Sequence, residues 1–345
     1  MHRKPSAYTE NRSLPAELRC TGGVILILPR CIDDLQASDP LYPSICGLFL
    51  VYTSVRNQYG SFYIIILKGE HDPLAGRIIH ITMEIKDIRI DSGKAFDWGR
   101  TSAEYARYRD IYPEEFYKKI VDRGLCVKGQ SVLDIGTGTG VLPRNMYRYG
   151  ASWTGTDISP EQIEQARLLA SKAGMDISFR AVSTEEMEFP KESFDVITAC
   201  QCFWYFDHEK VMPRLADLLK PEGKLLILYM AWLPYEDRIA GASEELVLKY
   251  NPNWSGAGET KHPIWIPDVA YDSFELEDHE EYDLRVPFTK DSWHGRMFAC
   301  RGVGASLSPE ELEKWDREHR ELLNAIAPEK FDIIHYGALA VLRKK

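Results

Sequence analysis

The stretch VLDIGTGTGVL, from Val132 to Leu142, decides how the whole chain is read. An apolar run ends in three glycines at alternate positions, Gly136, Gly138 and Gly140, with Asp134 just ahead of them. Such a run reads as a buried strand entering a turn. Backbone without side chains lets a ligand lie against the N–H groups where the next helix begins. Two kinds of cofactor use this turn. Nicotinamide dinucleotides want G-x-G-x-x-G and set a pyrophosphate on it. Here the spacing is G-x-G-x-G, and a carboxylate stands beside it. A carboxylate repels a pyrophosphate and attracts an ammonium or sulfonium. S-adenosylmethionine carries both cations and no phosphate, so the residues favour it over NAD.

The pattern extends outward. WTGTDI (Trp153 to Ile158) reads as a second strand ending near Asp157. A carboxylate there, about 20 residues beyond the loop, accepts from both ribose hydroxyls in either cofactor class. Ser159, Pro160 and Gln162 predict an N-cap, a first-turn proline and a capping-box partner. Ile163, Ala166, Ala170 and Ala173 keep helical spacing, and Gly174 stops the helix. ISFRAVS reads as the third strand, FDVITACQC as the fourth, EKVMPRLADLL as a helix and KPEGKLLILYM as a turn into the fifth strand. Strands alternating with helices predict βαβ units and a parallel sheet. YDLRVPF (Tyr282 to Phe288) and FDIIHYGALAVLR (Phe331 to Arg343) predict an antiparallel pair at one edge. Between them Ser308, Pro309 and Glu311 cap a helix with Leu312, Trp315, Leu322 and Ile326 on its inner face. The expected fold class is α/β, Rossmann-like, with helices on both faces.

Composition bounds the function classes. The 345 residues are 44% hydrophobic and 27% charged, ordinary for a globular protein in water. The formal net charge of -10 argues against non-specific binding to nucleic acid or an anionic membrane. The apolar runs VILIL (Val24 to Leu28) and ICGLFLVY (Ile45 to Tyr52) fall short of the roughly 18 residues of a membrane span. The opening MHRKPSAYTENRSLPAELR is followed by no apolar signal core, so the expected location is cytoplasmic. Seven cysteines, with Cys200 and Cys202 as the one close pair, fit neither a disulfide framework nor a zinc site, and no metal is expected.

Composition also shifts near residue 84. All eight tryptophans lie beyond it, and the first 84 residues carry eight acidic and eight Lys/Arg side chains. The charge imbalance therefore lies beyond it too. The earlier part holds short β-like runs such as FYIIIL (Phe62 to Leu67) and no motif. Met83 opens MEIKDIRIDSGKAFDWGR, which reads like the start of a domain. The expected organisation is an N-terminal extension over 1–82, accessory and poorly ordered or upstream sequence from a misassigned start. One domain then covers 83–345, with a core sheet over 125–230, a lid or insert over about 231–275, and C-terminal strands and helices over 276–345.

The blocks VLDIGTGTG, GTDIS, EFPKESFDVITACQCFWYF and LLKPEGKLLIL, in this order and spacing, resemble the class I S-adenosylmethionine-dependent methyltransferases. The resemblance covers residues 95–345 and looks nearest to the small-molecule branch that includes ubiquinone and menaquinone biosynthesis enzymes. ITACQCFWYFD also looks like the equivalent segment of the trans-aconitate methyltransferase group. The resemblance implies a seven-stranded, mostly parallel sheet. It implies that Asp134, Gly136 and Gly138 contact the methionine end of the cofactor and that Gly140 lets the following helix pack. Asp157 would hold the ribose and Ile158 would pack on the adenine. The loop from Ser183 to Glu185 would read the adenine edge, with Thr184 acting through its backbone N–H beside Glu185. Many members have Asp where Ser183 stands, and serine accepts more weakly. Gln201 would lie near the methionine or the transferring methyl.

SAEYARYRDIYP predicts a helix capped by Ser102, with Tyr105, Tyr108 and Arg109 on one face. In related methyltransferases such a helix covers the cofactor, which gives Tyr105 or Arg109 the methionine carboxylate. An aromatic stripe packed on the core is the plainer reading, above all for Tyr108. Methyl transfer is an in-line displacement in which alignment and exclusion of water are the protein's main tasks. A base is needed only where the acceptor must lose a proton. Trp204 and Tyr205 after the fourth strand, and Trp232, Tyr235, His262 and Trp265 in the aromatic insert, are candidate acceptor walls. His208, His262 and Tyr205 are the candidate bases. In SWHGRMFACRG, His294, Arg296 and Arg301 read most simply as a solvated helix face. Near a pocket, the arginines would instead suggest an acceptor with a carboxylate or phosphate, with Arg301 as a contact. The sequence reading is a methyltransferase acting on a small-molecule acceptor, without nucleic-acid or membrane partner and with its oligomeric state open. The alternatives are a methyltransferase acting on protein or RNA, an NAD-dependent dehydrogenase, and a non-catalytic cofactor-binding protein of the same fold.

Overall fold

The computed structural model describes residue 88 and residues 90–345 in full. Before them it describes only the backbone of three strands, β1 (Ile25–Ile27), β2 (Phe49–Thr53) and β3 (Tyr63–Leu67). The chain divides into two units, Met1–Ile81 and Thr82–Lys345. In the first, β1 pairs with β2 in parallel and β2 with β3 antiparallel. Apart from these strands, the reading of residues 1–82 as an extension and of Met83 as a domain start lies outside the described residues.

The second unit is built on seven strands. They are β4 (Ser131–Ile135), β5 (Ser152–Asp157), β6 (Ser178–Ala181), β7 (Phe194–Cys200), β8 (Leu219–Trp232), β9 (Phe274–Thr289) and β10 (Lys330–Lys344). Their order across the sheet is β6-β5-β4-β7-β8-β10-β9. From β6 to β8 all neighbours are parallel. β10 is antiparallel to both β8 and β9, so the antiparallel strand lies one place in from the edge. Strand order reverses at β4, which opens a crevice beyond the carboxyl ends of β4 and β7. Ligands bind at such switch points in open α/β sheets.

Nine helices among the described residues cover the sheet: α1 (Ser102–Tyr108), α2 (Glu114–Val121), α3 (Val141–Met146), α4 (Pro160–Lys172), α5 (His208–Leu218), α6 (Arg238–Tyr250), α7 (Ala270–Ser273), α8 (Lys290–Phe298) and α9 (Pro309–Ile326). The strands alternate with period two, as pleated backbone requires. Val132, Val196, Leu226 and Leu228 join α2, α6, α8 and α9 in one cluster, through Phe116, Val247, Trp293 and Trp315. Leu133, Ile197, Leu225 and Ile227 join α5 in another, through Val211, Met212 and Leu215. The central strands are therefore apolar on both faces, which is why they read as continuous hydrophobic runs. The insert expected as a lid contains the packed helix α6, whose Val247 is fully buried.

Local signals held with three differences. Ser159 caps α4 by accepting from Gln162 N–H. The Gln162 side chain does not complete a capping box, because Asp157 already accepts the Ser159 N–H at 2.9 Å. Its amide instead donates to the Trp98 carbonyl. Ser102 is the first residue of α1 rather than its cap. The capping box of α9 is complete, but its buried stripe is Trp315, His319 and Leu323. Leu312, Leu322 and Ile326 are half-buried beside it.

Gly140 caps α3 with φ 73°. A Cβ there would lie 2.8 Å from the Phe179 ring and 3.3 Å from Ala166 of α4. Gly140→Ala is expected to destabilise the fold by about 2–3 kcal/mol, from overpacking and left-handed strain together. A denaturant midpoint unchanged from the parent protein would refute this.

Candidate active site

Three turns meet beyond the carboxyl ends of the central strands. They follow β4 at Gly136, β5 at Asp157 and β7 at Gln201. Backbone bonds tie them together: Thr137 N–H donates to Thr156 O at 2.8 Å, and Gln201 N–H to Leu228 O at 2.9 Å. The three glycines of the first turn have different neighbours. A Cβ on Gly136 would fall 2.8 Å from Cys202, whose thiol donates to Ile135 O. Gly140 meets Phe179 in the same way. Gly138, with φ 55°, meets only the Tyr105 ring at 3.6 Å and Gln162 Oε1 at 3.9 Å, ordinary contact distances. Two glycines thus serve packing, and Gly138 is the one where a Cβ would make only ordinary contacts, with Tyr105 and Gln162.

The carboxylates are held by the same turns. Asp134 is buried, and β4–β7 register sets Thr198 directly opposite it. Its two oxygens accept the hydroxyls of Thr137 and Thr198, each at 2.6 Å. Burial pushes its pKa up to about 7, against those two bonds and with added repulsion from Asp157. Asp157 accepts Gly138 N–H at 2.8 Å on one oxygen and Ser159 N–H at 2.9 Å on the other. Burial holds its pKa above the usual carboxylate range as well. Among the described residues no Lys, Arg or His side chain pairs with either carboxylate.

The other expected cofactor residues divide. Ile158 is half-buried next to Asp157, and Ser183 and Thr184 are buried in the turn after β6. Glu185 accepts the Asp207 N–H at 3.1 Å at the start of α5. Gln201 takes φ 68°, a left-handed value costly for a residue with a side chain, and its amide donates to Met230 O at 2.5 Å. Such strain persists where surrounding structure imposes it. At the C-cap of α1, the Arg109 guanidinium lies 4.6 Å from the Tyr105 ring centroid, and it donates to the Tyr105 hydroxyl at 3.3 Å. Tyr108 packs against Gly295 of α8, where a Cβ would overlap its ring. The plainer reading of Tyr108 therefore holds.

Among the residues expected as acceptor walls, Trp204 stands edge-on to Tyr229 at 4.7 Å, and Tyr229 meets Tyr336 at 5.8 Å and His262 at 6.1 Å. Glu259 accepts from the hydroxyls of Tyr229 and Tyr336. Tyr229, Glu259 and Tyr336 went unnoticed in the sequence, because nothing local marks residues that only folding brings together. His262 bonds Pro263 O at 2.8 Å through one ring nitrogen and Glu259 at 2.9 Å through the other. His208 bonds Phe203 O at 3.0 Å and packs its ring on Phe203 and Trp265.

Two expectations are corrected, and Trp232 lies deeper than an open wall would. It is buried on Trp254 and Trp293, and its indole N–H donates to Glu244 at 2.9 Å. Arg301 is not free for an acceptor. It pairs with both oxygens of Asp91 at 2.9 Å, donates to Ser255 Oγ at 2.8 Å, and donates to the Tyr205 hydroxyl. That bond also occupies Tyr205, whose pKa burial raises. Finally, the expected solvated helix face is interior: His294, Arg296 and Arg301 are all buried. Among the described residues no cluster of His, Cys, Asp and Glu is arranged to hold a metal, and no helix is long and apolar enough to cross a membrane.

Comparison with known proteins adds to this geometry. Residues 133–227 match the family model described as a methyltransferase domain. The chain is similar to the ubiquinone biosynthesis O-methyltransferase of Bradyrhizobium sp. (strain ORS 278), with 36% identity over 130 residues, 37% of this chain and 50% of that protein. It is also similar to the protein of that name from Hahella chejuensis (strain KCTC 2396), with 27% identity over 190 residues, 54% of this chain and 78% of the other. The chain spans about half the length of the first curated relatives it matches. Among solved structures, the YcgJ protein from Bacillus subtilis aligns with a TM-score of 0.41 at 21% identity, over 66% of this chain and 98% of the other.

Proposed function

We propose that this chain, in which residues 133–227 match a methyltransferase domain, is a class I S-adenosylmethionine-dependent methyltransferase that moves a methyl group to a small organic acceptor. One observation carries the reading. A buried carboxylate, Asp134, and a half-buried one, Asp157, stand at the Gly138 turn without a cationic partner among the described residues. Carboxylates of this kind call for a cationic ligand. A pyrophosphate would add negative charge beside them; a sulfonium with an ammonium group would offset it.

The residues present fit that cofactor. Asp157 keeps lone pairs for two ribose hydroxyls while its backbone bonds hold the Gly138 turn in shape. Asp134 supplies negative charge near the methionine end, oriented by Thr137 and Thr198. Arg109, steadied by Tyr105, is the cation for the methionine carboxylate. When bound, the cofactor supplies an activated methyl whose bond to sulfur breaks as the bond to the acceptor forms. The chain's part is to align the acceptor and keep water out.

The test is calorimetric titration of the purified chain with S-adenosylmethionine, S-adenosylhomocysteine and NAD in parallel. Binding of the first two without NAD supports the reading. Binding of NAD alone, or of none, overturns it.

The raised pKa of Asp134 gives a signed prediction. Its folded-state value, about 7, lies above the unfolded one, so the folded protein keeps a proton that the unfolded chain releases. This group therefore lowers stability of the free protein as pH rises from about 4 to about 7. A bound cation favours the carboxylate, so binding expels the proton. Affinity for S-adenosylmethionine is expected to climb from about pH 5 to about pH 7 and flatten above. Titration at pH 6 in two buffers of unlike ionisation enthalpy reads the released proton. A flat affinity with no proton release would remove Asp134 from this role.

A further inference from the structure

We infer that Arg296 is the contact for a carboxylate on the methyl acceptor, which makes the acceptor a small organic acid. The inference rests on the methyl-transfer reading above and names its substrate class.

Arg296 lies on α8 and is 5% exposed. Its guanidinium stands 4.9 Å from the ring centroid of Trp232, the last residue of β8, and so at the carboxyl end of the sheet. One terminal nitrogen donates to the Cys300 thiol at 3.0 Å, a weak acceptor. Its Nε is buried with no acceptor at all. Arginine cannot shed its proton to relieve such a site. A buried cation without an anion is costly, and it persists where a ligand brings the anion. Arg301, five positions along, shows the contrast: there the fold supplies Asp91, and the charge is structural.

A second cation faces the same interior. Burial, and then the charge of Arg109, hold the Arg296 guanidinium below the usual arginine range. Arg109 has a phenol for a partner and no carboxylate among the described residues. Tyr105, which carries Arg109, stands beside Gly138, so the pair of cations adjoins the cofactor cradle. The cofactor brings one carboxylate, taken by Arg109, together with two positive groups of its own. One guanidinium is then still without an anion. The acceptor is the remaining component able to bring it. With Nη1 on Cys300, the free edge of Arg296 is Nε with Nη2, a two-pronged donor that matches a carboxylate. His335, opposite Trp232 in strand register, adds a buried Nε2 without a partner. Its Nδ1 donates to Ile333 O at 3.0 Å, so Nε2 offers a lone pair to an acidic or hydroxyl proton on the same ligand.

The test uses the full chain with S-adenosylmethionine and a panel of small hydroxy- and amino-carboxylic acids, each paired with its amide and with a phosphate ester of matching size. Release of S-adenosylhomocysteine is the readout. At least one acid is expected to turn over, with its amide poorer by about 100-fold in kcat/KM. Arg296→Met is expected to remove about 100-fold for the acid, mainly through KM, while S-adenosylhomocysteine affinity stays within about threefold. Arg296→Lys should recover part of the loss. The melting temperature of unliganded Arg296→Met should be unchanged or higher, because the variant removes an unpaired buried charge. A large fall in melting temperature means that the residue is structural and overturns the inference. So does turnover restricted to amides, neutral acceptors or phosphate esters, or an equal loss on acid and amide. If S-adenosylhomocysteine binds normally and every acid is refused, this inference alone falls. If S-adenosylhomocysteine does not bind, the methyl-transfer reading falls with it.

Discussion

Asp157→Ala is expected to weaken S-adenosylhomocysteine binding by more than about 100-fold, roughly 3 kcal/mol. The figure joins two effects. Ribose hydroxyls bonded to a charged acceptor account for about 1.5–3 kcal/mol each, with incomplete additivity. The side chain also anchors Gly138 N–H and Ser159 N–H, so its removal frees the glycine turn and the entrance to α4. Asp157→Asn separates the two effects. It keeps one acceptor oxygen but must point an NH2 group at one of two backbone donors, so it too should bind poorly. S-adenosylhomocysteine is the right probe because it lacks the sulfonium charge, leaving the ribose contacts to dominate. A folded Asp157→Ala protein that binds within about threefold of the parent would remove Asp157 from the site.

How much of this was legible depends on the distance over which each signal acts. The alternation of strand and helix could be read because β4, β7 and β8 are buried on both faces and flanked by local caps and stops. The glycine turn could be read too, but not the separate tasks of its glycines. Gly136 answers to Cys202 and Gly140 to Phe179, residues brought there by other strands. The partner of Asp134 on β7, Thr198, follows from strand register, which no single segment states. The bond from Asp207 N–H to Glu185 could not be read either, because a carboxylate in a turn can serve a neighbouring helix as easily as a ligand. Arg296 of α8 and Arg301 just beyond it were misread for the opposite reason. Their segment looks hydrophilic, yet α8 packs under α1, where Gly295 admits the Tyr108 ring. A polar sequence on a buried helix is where a sequence reading fails and a ligand site is worth seeking.

Arg301→Ala is expected to destabilise the second unit by about 3–5 kcal/mol, the usual result of breaking a buried ion pair from one side. The Asp91 side chain is 0% exposed and that of Arg301 9%. Without the guanidinium, the Asp91 carboxylate would keep only the N–H and hydroxyl of Ser255. The turn it sits in is itself strained, since Asp91 and Ser92 take φ 49° and 53° without being glycine. Arg301 holds that turn, the Tyr205 hydroxyl after β7 and Ser255 after α6 in one clasp. Replacing both charges, as Asp91→Ala with Arg301→Met, removes the uncompensated carboxylate and should recover much of the stability, because a buried pair exchanged for apolar groups is often neutral. It does not restore the bond that orients Tyr205 after β7. The double variant is therefore expected to melt near the parent protein and yet methylate its acceptor more slowly. Denaturant midpoints at constant m-value read the first effect, and S-adenosylhomocysteine release reads the second. A single variant destabilised by less than about 1 kcal/mol would show that the clasp is open in solution. A double variant with full activity would show that the clasp holds the fold together and has no part in orienting the site.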